Sequence, residues 1–534
     1  MNKIKQLVCL IRGSSQKLLQ EELRFIEHNQ KVFQPVSVNS GAPIVLMELN
    51  SMCSAHIAYS YLANVLANSG GARIVACLNT EPGWRIRLSF SIRKFFRLGV
   101  FGVYRSFGTV GFFLSFPSRA QKKRALKLFK NVAGQLRTKR DLEELVVDNV
   151  WIGDLIYDSY LNKFSRPTID LDSKEFRVFL IKSLELFVFW QDFFDKHKVV
   201  GVSVSHCVYH LAMPLRLAVQ RNIPAFQVNI THAYRLNANN LFAYNDFIYF
   251  RERFAELPEA TQEAGIKAAK ERIQLRFQGH AGVDMHYSSK SAYGKPKKDQ
   301  KLLRSSSKKK ILIATHCFFD SPHSYGNNIF PDFYEWLDFL GKMTDQTDYD
   351  WYIKTHPDYL PGTKEIVDGF IERYPKLTLL PADASHHQII AEGIDLALTT
   401  YGTIGFEYAA LGIPVINASQ NNPHISYDFN LHAKNVEDYR HMLLNLDDLE
   451  LHIDKRQVYE YYFMRNLYNS ENIFFENYRE MIDRIGGYAT QFTPLVYKEW
   501  LDEFSLSKHG NILKAINNFI SSKDFRMDYR HFDQ

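Results

Sequence analysis

Apolar residues along this chain fall into two rhythms. Short apolar runs that end at polar or glycine-containing turns read as buried strands, and between them apolar positions recur every three or four residues, as on one face of a helix. "APIVLMELN" (42–50), the helical "AHIAYSYLANVLANSG" and "ARIVACLN" form a first strand–helix–strand unit. The strand "VVGVSVSH", a helix through "HLAMPLRLAVQRN" and the strand "IPAFQVN" form a second unit, preceded by a long amphipathic helix from about Ser173 to Lys198. A further helix is predicted from Glu259 to Phe277. A fresh series starts at "KILIATH" (310–316) and runs through "DWYIKTHP", "KLTLLP", "DLALTT" and "IPVINA", each separated from the next by a helical pattern. Strands alternating with helices predict parallel sheets, so the fold class is α/β with two Rossmann-like, doubly wound domains facing a cleft.

The length agrees, because 534 residues exceed what one core holds. The predicted division is an N-terminal extension (1–41), an acceptor-side Rossmann-like domain (42–289) and a basic linker (290–310). A nucleotide-sugar-binding Rossmann-like domain (311–484) and a C-terminal helical segment (485–534) follow. The last segment either closes the second domain or reaches back to the first.

Charge changes the picture. Fifteen Lys and Arg and no acid lie between Arg85 and Arg140, and nine bases against Asp299 alone lie between Lys290 and Lys310. Taking +15 and +8 from the net +7 leaves −16 for the rest, an acidic body with two basic segments. No nucleic-acid-binding motif accompanies them, so nucleic acid is not an expected partner. Residues 82–140 read as a basic aromatic insertion in the first domain, in which bases interleave with aromatics ("IRKFFRLGVFGVYRSFGTVGFFLSF"), a pattern that suits the surface of an anionic membrane. Leu98 to Phe116 is long enough for a span, but Arg105 and four glycines argue against insertion. Five scattered cysteines without a CxxC pair point to a reducing compartment. The start "MNKIKQLVCLIRGSSQ" lacks a secretory pattern, so the expected location is cytoplasmic, with peripheral attachment at the inner face of the cytoplasmic membrane.

The unusual residues sit where the second domain's strands end. "KILIATH" ends in His316, followed by Asp320 and His323; "DWYIK" ends in Lys354 and His356, with Pro357 forcing an extended exit. "DLALT" runs into Thr400, Tyr401, Gly402 and Thr403, then a helix carrying Glu407. In a parallel sheet these ends share one edge, and a glycine-containing turn at a helix N-terminus favours phosphate. A hydroxyl as N-cap, with Gly412 closing the helix before Pro414, explains the turn but neither the several hydroxyls nor the acid. Glu407 as a solvated helix acid and His356 as a packing residue are the plainer readings. His386 and His387 read as surface residues.

"WYIKTHPDY" followed by "TTYGTIGFEYAALGIPVI" resembles the glycosyltransferases of bacterial surface polysaccharide synthesis, and more closely the capsule group with Kdo transferases and CMP-sugar enzymes carrying an HP motif. "IGDLIYDSYL", "VSHCVYHLAMPLRLAVQRNIPAF" and "FFDSPHSYGNNIFPDFYEWL" extend the likeness over roughly residues 42 to 480. The resemblance implies a metal-independent enzyme of the GT-B type, without a cofactor, taking a CMP-linked sugar such as Kdo to a glycan or glycolipid acceptor. By it, His356 and the hydroxyls of Thr400 and Thr403 meet the donor phosphate and Glu407 the nucleoside. No DxD sequence stands in a metal-binding context, so no metal ligand is expected. The HP pair also occurs in CDP-alditol phosphotransferases, which remain an alternative, as does a non-catalytic assembly protein.

The first domain should bind the acceptor and supply a base or nucleophile. Asp154 and Asp158 in "IGDLIYDSYL" stand four apart on one helix face, where an acid favoured by the helix dipole is the plainer reading of Asp154. His206 ends its strand and suits proton transfer. Glu48 and Asn50 end the first strand on the same edge. Inversion and retention both stay open.

Overall fold

The computed structural model describes residues 18–533 apart from 80–82, 285–289, 297–300, 327, 357–360, 451, 469–472 and 529. Two six-stranded sheets carry the chain. The first holds β1 (Ile44–Glu48), β2 (Arg73–Leu78), β3 (Thr109–Leu114), β6 (Val199–Val204), β7 (Ala225–Val228) and β8 (Ala233–Leu236), while β4 (Val146–Val147) and β5 (Val150–Trp151) form a small hairpin. The order is β3-β2-β1-β6-β7-β8, parallel except for β8. The second holds β9 (Lys310–Ala314), β10 (Asp350–Lys354), β11 (Leu377–Leu379), β12 (Leu396–Thr399), β13 (Val415–Asn417) and β14 (Leu431–His432), in the order β11-β10-β9-β12-β13-β14, parallel throughout. Both are doubly wound, as the alternation of elements predicts. In each, the winding reverses beside the first strand: between β1 and β6, and between β9 and β12. Ligands of such sheets bind outside the carboxyl ends at that reversal.

Three features differ from the sequence expectation. The described residues of the segment 82–140 do not form an insertion. They supply β3, which pairs in parallel with β2 from Ile74–Thr109 to Leu78–Leu114, and the helices Trp84–Phe96, Val100–Ser106 and Arg119–Ala133. The apolar run from Leu98 to Phe116 is thus a short helix plus an edge strand, broken by Gly108 in a positive-φ turn, and among the described residues no helix is long and apolar enough to cross a membrane. The described part of the linker also packs. Tyr293 and Leu303 are buried against the second domain, and Ser385 Oγ donates to the Gly294 carbonyl at 2.5 Å.

The third feature is the predicted N-terminal extension, which packs against a C-terminal segment that takes the second of its two expected courses. The helices Leu495–Asp502 and Leu506–Ser521 return to the first domain, against Gln20–Val32 and Cys53–Ser69. This explains a helix that is buried nearly all round: Cys53–Ser69 is enclosed by the sheet on one side and the returning helices on the other. Its polar groups find partners there, His56 Nδ1 at 2.6 Å from the Tyr497 hydroxyl and the Tyr61 hydroxyl at 3.0 Å from His509 Nδ1. The predicted extension likewise belongs to this core, with Phe25 stacked on Tyr497.

Candidate functional site

At the second domain's reversal, His316 follows β9 and Thr399 ends β12. His316 Nε2 lies 3.0 Å from Thr399 Oγ1 and accepts the Thr400 amide at 3.3 Å. The ring stacks on Phe333 and leans on Tyr401, and burial pushes its pKa down to about 3, so it is a neutral acceptor at neutral pH. Gly402 donates its amide to Thr399 Oγ1 at 3.1 Å. A Cβ there would stand 2.8 Å from that oxygen and 3.4 Å from the His316 ring, so the turn needs glycine for close approach. Thr400 is 2% exposed, and its hydroxyl has no hydrogen-bond partner among the described residues. A buried hydroxyl left unsatisfied at a ligand-type crevice calls for explanation. Thr403 occupies the N-cap position of the helix Ile404–Leu411 without closing it with its side chain, and Gly412, at φ 85°, ends that helix. Tyr401 instead turns its hydroxyl to the Ser321 carbonyl at 3.0 Å.

The adjacent strand β10 delivers Lys354 and then His356; Pro357 lies outside the described residues. Lys354 is buried, donates to the Ala382 carbonyl at 3.0 Å, and has its pKa lowered to about 8 by burial. His356 is exposed. His386, read from sequence as a surface residue, is 8% exposed and lies within electrostatic reach of both. Burial, then Lys354 and His356, hold its pKa far below the ordinary value, and its Nδ1 is 2.7 Å from the Tyr408 hydroxyl. The one signal that could have found it is its place just beyond the carboxyl end of β11. Glu407 is buried and engaged by the Arg276 guanidinium and the Tyr293 hydroxyl, the latter at 3.0 Å. It is therefore not a solvated helix acid. Any nucleoside contact by Glu407 shares the carboxylate with those two groups, neither of which the sequence singled out.

The first domain presents its own reversal to the same cleft. Glu48 ends β1 and accepts the Ser205 amide at 2.7 Å and the Tyr59 hydroxyl at 3.1 Å, and burial raises its pKa. Asn50 holds the Met52 amide at 3.0 Å. His206, next after Ser205, lies 3.5 Å from the Tyr244 hydroxyl through Nε2, while its buried Nδ1 has no hydrogen-bond partner among the described residues. Burial lowers its pKa to about 4, against the opposing pull of Asp320 from the second domain. Asp320 is also bound by Tyr209 at 2.8 Å, which ties the two strand ends together across the cleft. A neutral imidazole there can take a proton from a hydroxyl, and the nearby carboxylate favours the cation so formed.

Asp154 and Asp158 share a buried helix face, as their spacing predicts, but they meet different partners. Asp154 forms a buried ion pair with Arg216 at 2.5 Å, and the guanidinium lies over Trp151 and Phe242. This pair holds the helix Gly153–Phe164 to the helix Met213–Gln220. Asp158 faces the second domain, with Ser321 Oγ donating to it and His323 Nδ1 2.5 Å away. The other nitrogen of His323 lies 3.3 Å from Glu143. Burial alone would lower the pKa of this ring, but the Asp158 and Glu143 carboxylates outweigh it and raise the pKa well above the ordinary value. With Tyr157 donating to Asp332 at 2.5 Å and Arg140 to the Asn328 and Ile329 carbonyls, these groups form a polar seam between the domains. Asp158 and His323 are thus joined to each other rather than open to the cleft.

No protein-family model and no curated protein matches the chain. Solved structures similar to it include a β-Kdo 2,4-transferase, KpsC, of Thermosulfurimonas dismutans, at 12% identity over 49% of this chain and 79% of that one, with a TM-score of 0.31. A UDP-GlcNAc 2-epimerase of Neisseria meningitidis, solved with UDP-GlcNAc, matches at 8% identity over 86% of this chain and 99% of its own, with a TM-score of 0.20. A UDP-glucose:anthocyanidin 3-O-glucosyltransferase solved with UDP matches at 8% identity over 87% and 100%, with a TM-score of 0.23.

Proposed function

We propose that the chain is a glycosyltransferase drawing its sugar from a nucleotide donor. The observation that carries this reading is the pairing of the two reversals. One presents the Thr400 hydroxyl, without a hydrogen-bond partner among the described residues, beside His316, with Lys354 and His356 on the next strand; the other presents Glu48 and His206 across the same cleft. A phosphate seated on the first would receive the Thr400 and Thr403 hydroxyls, the Lys354 ammonium and His356, with Tyr401 and Gly402 shaping the turn. The nucleoside then lies toward Tyr293, Arg276 and Glu407, and the transferred sugar toward His206, which takes the acceptor proton with Asp320 behind it.

The finer reading is a CMP-linked ulosonic acid such as Kdo, passed to a growing surface polysaccharide or glycolipid. It is supported by the resemblance of the "THP" and "TTYGT" stretches. The same proposal places the protein at an anionic membrane face. Trp84, Phe95, Phe96 and Phe116 are exposed on the segment that carries Arg93, Lys94, Lys122 and Lys123.

The test is equilibrium binding of CMP, CDP, UDP and GDP, read as a rise in melting temperature. A ligand at a hundred times its Kd stabilises the folded state by about 2.7 kcal/mol. One nucleotide, expected to be CMP, should shift the transition. No shift with any of them at millimolar concentration would overturn the reading.

A further inference from the structure

Tyr209, between His206 and the helix Met213–Gln220, has φ 58° and ψ −177°. Glycine adopts that combination freely. With a bulky side chain it is strained, and such strain persists only where the surroundings fix it. They do so here. The His210 amide donates to Ser159 Oγ and Asn79 Nδ2 donates to the His210 carbonyl, both at 2.8 Å, while the His210 ring stacks on Phe179. The Ala212 amide closes the turn on the Tyr209 carbonyl at 3.1 Å. A glycine would relieve the strain, so the side chain that stands there instead calls for a reason.

The reason lies in what that side chain reaches. The Tyr209 ring packs on the first domain's core and stands 6.0 Å from the His206 ring between centroids, while its hydroxyl crosses the cleft to Asp320. Asp320 follows β9 and is exposed. Among the described residues its carboxylate takes two hydrogen bonds, both on Oδ1 and both at 2.8 Å, from the Tyr209 hydroxyl and the Ser321 amide. The Ser321 bond is local to the loop. The Tyr209 bond is the one that ties the carboxylate to the first domain.

The groups around His206 make that tie consequential. Tyr244 stands edge-on to the ring at 5.5 Å, and burial raises the pKa of both tyrosines, so neither carries charge at neutral pH. Glu48 is turned to the Ser205 amide and the Tyr59 hydroxyl. Among the described residues the one charge that acts on the ring is Asp320, which opposes the lowering of the imidazole pKa by burial. An exposed carboxylate that swings into water is screened and loses most of that effect.

We propose that Tyr209 is a positioning residue: its strained turn carries the hydroxyl to Asp320 and so holds the second domain's carboxylate against His206. The proton-accepting imidazole is then complete only when the two strand ends meet. This inference rests on the glycosyltransferase reading for the group that gives His206 its proton, but not for the strut itself.

The experiment is an NMR titration of the histidine rings in the full chain, from about pH 8 down to 4, with His206 assigned as the resonance missing in His206→Asn. Tyr209→Phe removes the hydroxyl alone. It should lower the pKa of His206 by about half a unit, less than the shift of a close pair because Asp320 is exposed. At pH 4 the protonated fraction should thus fall from about a half to about a quarter. Asp320→Asn should lower the pKa too, and the double variant should go no further than Asp320→Asn, because both changes remove one interaction. Melting temperature and nucleotide shifts of Tyr209→Phe should match the wild type. An unchanged His206 titration in Tyr209→Phe, or shifts that add in the double variant, would overturn the assignment. Should Tyr209→Phe lower the melting temperature sharply, Ser159→Ala serves as a second variant, since it unpins the turn and leaves Tyr209 in place. It should lower the His206 pKa in the same direction, and an unmoved His206 there would count against the strut. A His206 response in a protein that binds no nucleotide would leave the strut standing and remove the donor reading. Nucleotide binding with an unmoved His206 would do the reverse.

Discussion

At the scale of single residues, the informative groups are those whose burial and partners do not match. Thr400 is enclosed, yet its hydroxyl has no hydrogen-bond partner among the described residues, and Lys354 is buried with its pKa brought down to about 8. Thr400→Val keeps the shape and removes only the hydroxyl, so the ligand-free protein should be as stable as before or slightly more so. Nucleotide affinity should fall ten- to a hundred-fold, the range expected for about 1.5–3 kcal/mol lost with a hydrogen bond to a charged group. Isothermal titration and a melting curve on the same sample check both halves; undiminished affinity would remove the phosphate role. Lys354 gives a pH signature. As pH rises through about 8 the ammonium discharges and nucleotide binding should weaken. Between about 8 and the ordinary 10.5, the unfolded chain holds the proton that the folded chain has lost, so this group makes the ligand-free protein more stable as pH rises. Lys354→Met should flatten both trends, and affinity that is level from pH 7 to 9.5 in the wild type would contradict the assignment.

At the scale of elements, the helix after β12 is bounded by two glycines, Gly402 before it and Gly412 at its end, for different reasons. Gly402 has no room for a Cβ, whereas Gly412 has room but a positive φ that disfavours one. Gly402→Ala should push Thr399 and His316 apart, costing about 1–3 kcal/mol as overpacking does and weakening nucleotide binding as well. Gly412→Ala should cost about 1 kcal/mol through the backbone alone and leave nucleotide binding intact. Comparing the two by melting temperature and by titration separates a damaged site from a damaged helix end. An equal loss of nucleotide affinity in both would mean that the turn acts only through stability.

At the scale of the whole molecule, the basic aromatic segment is both sheet edge and outer surface. Phe95 is 79% exposed, on a helix whose inner side rests on the first core through Phe90. Bases near an anionic leaflet contribute about 1 kcal/mol each, and the attraction decays within about 8 Å at physiological salt. Sedimentation with liposomes should therefore require anionic lipid and fall steeply with added salt. Replacing Phe95 and Phe96 by serine, with Lys122 and Lys123 by glutamine, should reduce binding while nucleotide shifts stay unchanged. A protein that fails to sediment at low salt would leave this face merely solvated. The two domains are meanwhile held by His323 between Asp158 and Glu143, and by a C-terminal segment that crosses back into the first core.

Much was legible in the sequence because it is local. Strand runs, helical spacing and turn residues depend on neighbours in the chain, and in a parallel sheet the order of elements alone puts His316, Lys354 and Thr400 on one edge. The same logic placed Glu48 and His206 on the first domain's edge. What only the tertiary structure decided is who meets whom. The sequence could not tell that Asp154 is neutralised by Arg216, that Asp158 belongs with His323, or that Glu407 is held by Arg276 and Tyr293. Nor could it tell that an apolar basic run forms β3, or that His386 is buried. A hydrophobic pattern reports which face of an element is covered, not what covers it. The partner of a buried charge is chosen by the packing of elements far apart along the chain, and for that no period in the sequence carries a sign.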